Sequence, residues 1–340
     1  MSEAKLILGI ESSCDETAAS VVLDGREVLS SVVHSQIDQH AQWGGVVPEI
    51  AGRSHLEQIV PTIQTAISEA GVLPNDLSAI AVTARPGLLG SLLIGVSAAK
   101  SMAWAFEKPL IDIHHIEAHI YAALMPIPSW EFPYITLVVS GGHTSLYQTD
   151  SPLTHTLLAC TRDDAAGEAL DKGAAMLGLP YPGGPSIEKE ASSGNPKAFP
   201  FKLPLMGPDS LEFSFSGLKT ALLYTLKGPG GKRTDPTLPG AKNLSDLCAS
   251  FEHAVTETLA QKCMRACEQK KIPRLLIGGG VARNSRLRKR VAHHASQHDI
   301  QATFAPPEFC TDNAVMIAGL GYAKLTNGDI ASLDLDVAAR

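Results

Sequence analysis

Two histidines in the first half of the chain have the spacing of metal ligands. His115 and His119 lie four residues apart in the segment HHIEAH, which follows an apolar run and opens a predicted helix. Four residues make about one helical turn, so both imidazoles lie on one face, with their Cα atoms about 6 Å apart. Two imidazoles placed in this way can bind one divalent metal ion. The alternative is a histidine-rich helix start whose rings are solvated or cap the helix.

The order of residues in this segment differs from that of a zinc protease. Glu117 stands two residues after His115, whereas the protease motif HExxH places glutamate directly after its first histidine. The glutamate is therefore rotated by about 100° around the helix from the position that activates water. The pattern HxExH predicts metal binding without the protease geometry.

A third ligand is available near the end of the chain. Asp312 precedes a predicted helix at residues 313–324, where a carboxylate is also a routine helix cap. Together with the two histidines it would complete a two-histidine, one-carboxylate site with open positions. The nearby Cys310 could also bind the metal, although a single cysteine near the end of a strand is more often buried. Because Asp312 lies in the second half of the chain, we expect the metal between the two halves.

The elements that position these residues repeat along the chain. Each half begins with three predicted antiparallel strands, at residues 6–13, 18–23 and 28–34, and at 134–140, 143–148 and 153–160. Helical sequence and a strand, glycine loop and helix follow in both halves, about 130 residues apart. This alternation predicts an α/β fold with mixed sheets in two similar lobes, the first at residues 1–115 and the second at 116–340. An exposed loop is expected at residues 227–243.

Two glycine segments suggest a nucleotide between the lobes. Residues 140–144 (SGGHT) and 278–280 (GGG) each follow a predicted strand. Glycines allow the backbone to approach phosphate closely, although neither segment is a Walker loop. The alternative is that they only form tight turns.

Acidic residues mark two further segments. Asp164, Glu168 and Asp171 share one face of a predicted helix, and Asp171 lies too far from its start to serve the helix dipole. Asp171 is expected to bind ribose hydroxyls or a cation, unless Lys172 only neutralises it. Glu11, in a predicted turn at residues 11–17, is a candidate general base or orienting group. The alternative for Glu11 is a polar hairpin turn.

Composition limits the class of protein. The chain has 340 residues, 44% of them apolar, and a net charge of −7, which argues against coating nucleic acid through overall charge. One basic cluster could face RNA or could be a solvated helix face; it comprises Arg283, Arg286, Arg288, Lys289 and Arg290. No apolar run reaches the ~18 residues of a membrane span, and no signal peptide is visible. Six scattered cysteines without a CxxC pair predict reduced thiols in a cytoplasmic protein.

The motifs together resemble one family over almost the whole chain. In order they are residues 11–17 (ESSCDET), 44–48 (GGVVP), 115–119 (HIEAH), 140–144 (SGGHT), 163–172 (DDAAGEALDK), 181–185 (YPGGP), 213–220 (FSFSGLKT), 278–284 (GGGVARN) and 308–313 (EFCTDN). They resemble the tRNA N6-adenosine threonylcarbamoyltransferases of the bacterial TsaD type. The resemblance implies the duplicated actin-like (ASKHA, RNase H-like) fold, with two lobes and a cleft between them.

The resemblance also implies an activity. Members of this family transfer threonylcarbamoyl from threonylcarbamoyl-AMP to N6 of the adenosine beside the anticodon, in tRNAs that read ANN codons. His115, His119 and Asp312 fall on the family's positions for one iron (Fe2+) or zinc ion. The substrate-binding positions are Val138, Val139, Ser140, Gly141, Gly142, Asp171, Gly184 and Asn284. The expected partners are tRNA and TsaB-like and TsaE-like proteins, and Glu11 is the candidate for proton handling.

Two residues depart from the family pattern, and rival activities stay open. Arg85 stands where a glycine is expected, and Arg283 where a small residue is usual. Either could alter a loop or add an RNA contact. The rival enzyme is a small-molecule kinase of the same fold, which would not require His115 or His119. A second alternative is a nucleotide-gated binding module, which would lack the metal. A third is a metalloprotease, which would cleave protein substrates and would lose this activity when a chelator removed its metal.

Overall fold

A computed structural model describes residues 4–204, 207–228 and 241–339, with residues 241 and 242 described by their backbone alone. Most of the loop predicted at residues 227–243 therefore lies outside the described residues. Ten strands are described: Leu6–Glu11 (β1), Glu16–Leu23 (β2), Glu27–Ser35 (β3), Ala79–Arg85 (β4), Leu110–His114 (β5), Tyr134–Val139 (β6), Thr144–Ser151 (β7), Thr154–Cys160 (β8), Arg274–Gly278 (β9) and Gln301–Phe304 (β10).

Eleven α-helices lie within the same described ranges. They are Ile37–Ala41 (α1), Pro48–Ala70 (α2), Leu89–Ala105 (α3), His115–Leu124 (α4), Ala166–Met176 (α5), Gly183–Ala191 (α6), Ser216–Lys227 (α7), Ala241–Lys270 (α8), Ser285–Gln297 (α9), Pro307–Cys310 (α10) and Ala314–Asn327 (α11). Of the helices in the described parts of the chain, none is long and apolar enough to cross a membrane.

The strands form two five-stranded sheets with the same topology. The first has the order β3-β2-β1-β4-β5 and the second β10-β9-β6-β7-β8, which is the same order when β6 is matched to β1. In both sheets the first strand pairs antiparallel with the second and parallel with the fourth. The predicted duplication of an α/β unit is confirmed.

The chain folds into two compact units, which divide differently from the predicted lobes. The first unit comprises the described residues up to Trp130, the short segment Ser151–Thr154 and the described residues from Thr311 onward. The second comprises Glu131–Asp150 and the described part of His155–Cys310. Instead of beginning the second lobe at residue 116, α4 belongs to the first unit, and so does α11 at the far end of the sequence.

One glycine explains why α11 joins the first unit. The face of β1 that carries Leu8 and Ile10 packs into the core formed with α2 and α3. On the opposite face, a Cβ added to Gly9 would lie 2.3 Å from the carbonyl oxygen of Ala314 and 2.6 Å from the nitrogen of Ala318. Because Gly9 has no side chain, the backbone of α11 lies directly against β1. This packing brings Asp312, two residues before α11, to the end of the first sheet.

Candidate metal centre

The two histidines and the aspartate come together in the first unit. His115 begins α4 directly after β5, His119 lies one turn further along, and Asp312 immediately precedes the N-cap of α11. The Oδ1 atom of Asp312 lies 3.4 Å from Nε2 of His115 and 3.2 Å from Nε2 of His119. One ligand atom from each residue lies within 4.8 Å of the others. The three side chains thus converge on one point, as their residue types predict.

The location of this cluster differs from the expectation that ligands come from two lobes. All three residues belong to the first unit, because α11 packs on the first sheet and on α4. Asp312 is also not the helix cap: the side chain of Asn313 accepts the N–H of Met316 at 3.0 Å and caps α11. Since the cap belongs to its neighbour, the carboxylate of Asp312 is available as a ligand.

The surroundings of His119 fit a cation. Its side chain is fully buried, and neither ring nitrogen makes a hydrogen bond of acceptable geometry, although Nε2 is 3.2 Å from Asp312. A buried polar atom without a partner costs about 1–3 kcal/mol. A metal ion bonded to one nitrogen would remove part of this penalty, so two imidazoles and a carboxylate form a donor set that fits a single metal ion.

The electrostatics of the cluster also favour a cation. Burial by itself would raise the pKa of Asp312, but the adjacent His115 and His119 hold it well below its ordinary value. Burial, together with the neighbouring Asp312 and Asp15, raises the pKa of Glu16 to about 10. Several carboxyl groups that lie this close together are stabilised by a cation between them.

Glu11 lies beside the cluster at the end of β1 and is fully buried. Its Oε1 accepts the backbone N–H of Ser13 at 2.5 Å, and its Oε2 accepts the hydroxyl of Thr83 at 2.7 Å and lies 2.9 Å from Nδ1 of His115. Burial would raise the pKa of Glu11, but His115 and the hydrogen bond from Ser13 together hold it below its ordinary value. Ser13 and Thr83 were not predicted as part of the site, because a hydroxyl in or beside a buried strand gives no signal in the sequence.

Two other residues considered near this cluster have different roles. Glu117 is not among the residues whose ligand atoms converge, and burial raises its pKa despite the nearby Lys324 and Arg85. Cys310 is buried in the second unit, with its Sγ 3.5 Å from the carbonyl oxygen of Ala305.

The predicted substrate-binding segment of residues 138–142 ends β6 and forms the turn to β7. Val138 and Val139 are buried, while a Cβ added to Gly141 or Gly142 would meet no atom within 4 Å. The carbonyl oxygens of Ser140 and Gly141 accept N–H groups from the first turn of α5, at 3.2 and 3.1 Å. The turn is therefore fixed on one side and borders open space on the other.

The remaining predicted substrate residues lie in the same unit. Gly279 has a φ of +93°, and its added Cβ would lie 2.4 Å from the carbonyl oxygen of Val139, so its loop crosses the end of β6. Asp171 accepts the N–H of Gly183 at 2.7 Å, which joins α5 to the start of α6 beside Gly184. Asn284 caps α9 by accepting the N–H of Leu287 at 2.8 Å.

The acidic helix start contains ion pairs that its sequence did not reveal. Asp163 accepts hydrogen bonds from Ser214, Phe215 and Ser216 at the start of α7. Asp164 contacts the ammonium groups of both Lys172 and Lys219, and Lys172 also pairs with Glu168. Asp163 and Asp164 therefore have structural partners from a distant part of the chain, whereas Glu168 pairs within its own helix.

The basic cluster is also largely engaged within its own unit. Arg286 pairs with Glu252 at 2.6 Å and Arg290 with Glu257 at 2.5 Å. Arg288 donates to the carbonyl oxygens of Ala282 and Ala305. In the first unit, Arg85 pairs with Asp112, which also binds Lys324. The three arginines of α9 thus serve packing instead of forming a free face for RNA.

Comparison with solved structures identifies the fold. A full-length HypF in its phosphate- and nucleotide-bound form matches with a TM-score of 0.60 at 14% identity, over 95% of this chain and 46% of that chain. The Acidaminococcus fermentans (R)-2-hydroxyglutaryl-CoA dehydratase component A matches with a TM-score of 0.55 at 13% identity, over 96% of this chain and 100% of that one. At these identities the likeness concerns the fold alone, which is of the actin-like ATPase type.

Comparison of sequences identifies the family. The family model described as TsaD, tRNA N6-adenosine threonylcarbamoyltransferase, matches residues 27–319. A protein of that name from Trichlorobacter lovleyi is 51% identical over 98% of this chain and 96% of its own length. Another, from Anaeromyxobacter sp. (strain Fw109-5), is 50% identical over 97% of both chains. The chain belongs to the TsaD family of tRNA N6-adenosine threonylcarbamoyltransferases.

Proposed function

We propose that this chain transfers the threonylcarbamoyl group from threonylcarbamoyl-AMP to N6 of the adenosine beside the anticodon, in tRNAs that read ANN codons. The bond between the carbonyl carbon and AMP breaks as the bond to N6 forms, so that AMP and one proton from N6 are released. Family membership supports the transfer to tRNA adenosine. The convergence of His115, His119 and Asp312 supports a metal-assisted reaction, and it is the single observation that carries this part of the proposal. His115 and His119 would bind the cation through ring nitrogens and Asp312 through a carboxylate oxygen.

A cation held in this way supplies Lewis-acid polarisation of the threonylcarbamoyl carbonyl. The exocyclic amine of adenine is a weak nucleophile, because its lone pair is delocalised into the ring. Positioning of donor and acceptor must therefore supply much of the rate enhancement. The residues of this chain contribute by binding and orienting the two substrates.

The second unit offers groups for the AMP portion of the donor. A Cβ added to Gly141 or Gly142 would meet no atom within 4 Å, so a phosphate group could approach the backbone of this turn closely. Asp171 is suited to ribose hydroxyls, from which a carboxylate accepts strong hydrogen bonds. The other proposed binding positions mainly shape the turn and the helix starts around the AMP portion. They are Val138, Val139, Ser140, Gly184 and Asn284.

The proposed metal is iron (Fe2+) or zinc. Two histidines and one carboxylate with open positions form the ligand set of many non-haem iron sites, and zinc enzymes use the same set. The transfer needs no change in the oxidation state of the metal, so either ion suits the chemistry.

We further propose that other proteins share the binding of tRNA, and that TsaB-like and TsaE-like proteins are these partners in the cytoplasm. The net charge of −7 opposes strong binding of RNA by this chain alone. The pairing of Arg286 and Arg290 with buried glutamates leaves few free cations on α9, within the described residues.

The test is a transfer assay with and without the metal. The chain, its partner proteins, tRNA and threonylcarbamoyl-AMP are combined, and threonylcarbamoyladenosine is measured by nucleoside analysis of the digested tRNA. We expect the product to disappear after removal of metal by a chelator and to return when Fe2+ or Zn2+ is restored. Full transfer by the stripped protein would contradict the proposal. A kinase would instead phosphorylate a small acceptor with ATP, and the family and its named relatives give no support for that activity.

A further inference from the structure

Each metal-binding histidine must present one ring nitrogen to the cation and keep the other away from it. In His115, Nε2 faces Asp312 at 3.4 Å and Nδ1 faces the opposite direction. Nδ1 lies 2.9 Å from Oε2 of Glu11 and 3.3 Å from the hydroxyl of Ser13. A carboxylate at this distance accepts a hydrogen bond from the N–H of Nδ1. The proton of the neutral ring then stays on Nδ1, and Nε2 is the nitrogen free to bind metal.

We propose that Glu11 is a positioning residue, which fixes the tautomer and ring orientation of His115 so that Nε2 binds the metal. The inference rests on the metal site of the proposed function and adds a residue to it. It assigns Glu11 the orienting role instead of the proton transfer that its sequence also suggested.

The contacts of Glu11 support a fixed acceptor. Both carboxylate oxygens are occupied, Oε1 by the N–H of Ser13 and Oε2 by the hydroxyl of Thr83 and by His115. The side chain is fully buried, so water does not compete for these contacts. A carboxylate held by two donors from separate parts of the chain keeps its position when His115 turns, and the ring therefore adjusts to the carboxylate.

The variant Glu11→Gln tests this role because glutamine has the same size but only one acceptor oxygen. If its NH2 group faces Thr83 and His115, Nδ1 must become an acceptor and Nε2 carries the proton, which blocks metal binding. If the NH2 group faces the N–H of Ser13, two donors meet in a buried place. Either arrangement opposes the metal-binding tautomer.

We expect Glu11→Gln to weaken binding of Zn2+ by about 10- to 100-fold, as changes beside metal-binding histidines typically do. Affinity is measured by competition with a chromophoric chelator, and folding by circular dichroism. The matched control is Glu257→Gln, because Glu257 is also buried and lies 2.8 Å from Nε2 of His294, in the other unit. Glu257→Gln is expected to bind Zn2+ as the wild type does.

The outcomes separate the inference from the proposed function. If the wild type binds neither Zn2+ nor Fe2+, the metal site itself is refuted, and the inference with it. If the wild type binds Zn2+ and folded Glu11→Gln binds it equally well, only the positioning role is refuted.

A second measurement needs no variant. The wild type is labelled with nitrogen-15 and loaded with cadmium-113 as a probe for zinc, and NMR couplings show which nitrogen of His115 binds the metal. We expect coupling to Nε2 and a proton on Nδ1. Coupling of the metal to Nδ1 would overturn the proposal, whether or not Glu11→Gln folds.

Discussion

Replacing Asp312 by alanine is expected to weaken metal binding by more than about 100-fold and to abolish threonylcarbamoyl transfer, while the fold survives. The loss of a ligand exceeds the 10- to 100-fold effect of changes beside a ligand. The fold survives because Asn313, not Asp312, caps α11, and Gly9 still packs against that helix. His115→Ala is expected to have the same two effects.

The measurements are the metal content of the purified variant and its transfer activity, with circular dichroism as the test of folding. Glu117→Gln is the matched control, because Glu117 lies between the two histidines in sequence but its carboxylate is not in the cluster. This control is expected to keep its metal. If Asp312→Ala binds metal stoichiometrically and transfers at the wild-type rate, Asp312 is not a ligand.

Replacing Asp171 by alanine is expected to weaken binding of AMP by about 10- to 100-fold and to leave metal binding unchanged. A hydrogen bond from a ribose hydroxyl to an ionised carboxylate contributes about 1.5–3 kcal/mol, which corresponds to this range. Asp171 lies in the second unit, whereas the three proposed metal ligands belong to the first. The effects of Asp171→Ala on AMP binding and on metal binding can therefore be measured separately.

Calorimetry with AMP and the chelator competition with Zn2+ give the two affinities. Asp171 also accepts the N–H of Gly183, so Asp171→Asn, which retains an acceptor oxygen, distinguishes ribose binding from support of α6. Glu168→Gln on the same helix is the control and is expected to bind AMP normally. Equal loss of AMP and metal binding in Asp171→Ala would show that Asp171 is structural.

The sequence predicted the fold well because its strand pattern is repeated. The apolar strands and their short turns occur twice, and both sheets have the order that this repetition implies. The pair His115 and His119 could also be predicted, since helical geometry alone places residues four apart on one face. In the described structure these two histidines and Asp312, the three candidate ligands, converge as their residue types suggest.

The boundary between the units could not be predicted from local patterns. Assigning α11 to the first unit depends on the contact between Gly9 and Ala314, which lie near opposite ends of the sequence. A glycine in a strand indicates that another backbone approaches closely, but it does not indicate which element does so. The sequence suggested two roles for Glu11 and could not distinguish them, because its contacts with Thr83 and His115 come from distant segments of the chain.

The charged segments were ambiguous because sequence spacing shows only neighbours on the same helix. Asp164 is neutralised partly by Lys219, fifty-five residues away, and Arg290 pairs with Glu257 on a different helix. Such ion pairs convert an apparently exposed charged face into a contact between helices. Ion pairs between residues this far apart in the sequence can be recognised only from the three-dimensional structure.

Anomalous X-ray diffraction tests the metal centre most directly, on crystals of the wild-type protein purified without added metal. Data collected on both sides of the iron and zinc absorption edges locate the metal and identify it. We predict one peak about 2.0–2.2 Å from Nε2 of His115, a ring nitrogen of His119 and a carboxylate oxygen of Asp312. A transfer-competent preparation whose crystals show no anomalous peak at these three side chains would contradict a metal-assisted transfer at this site.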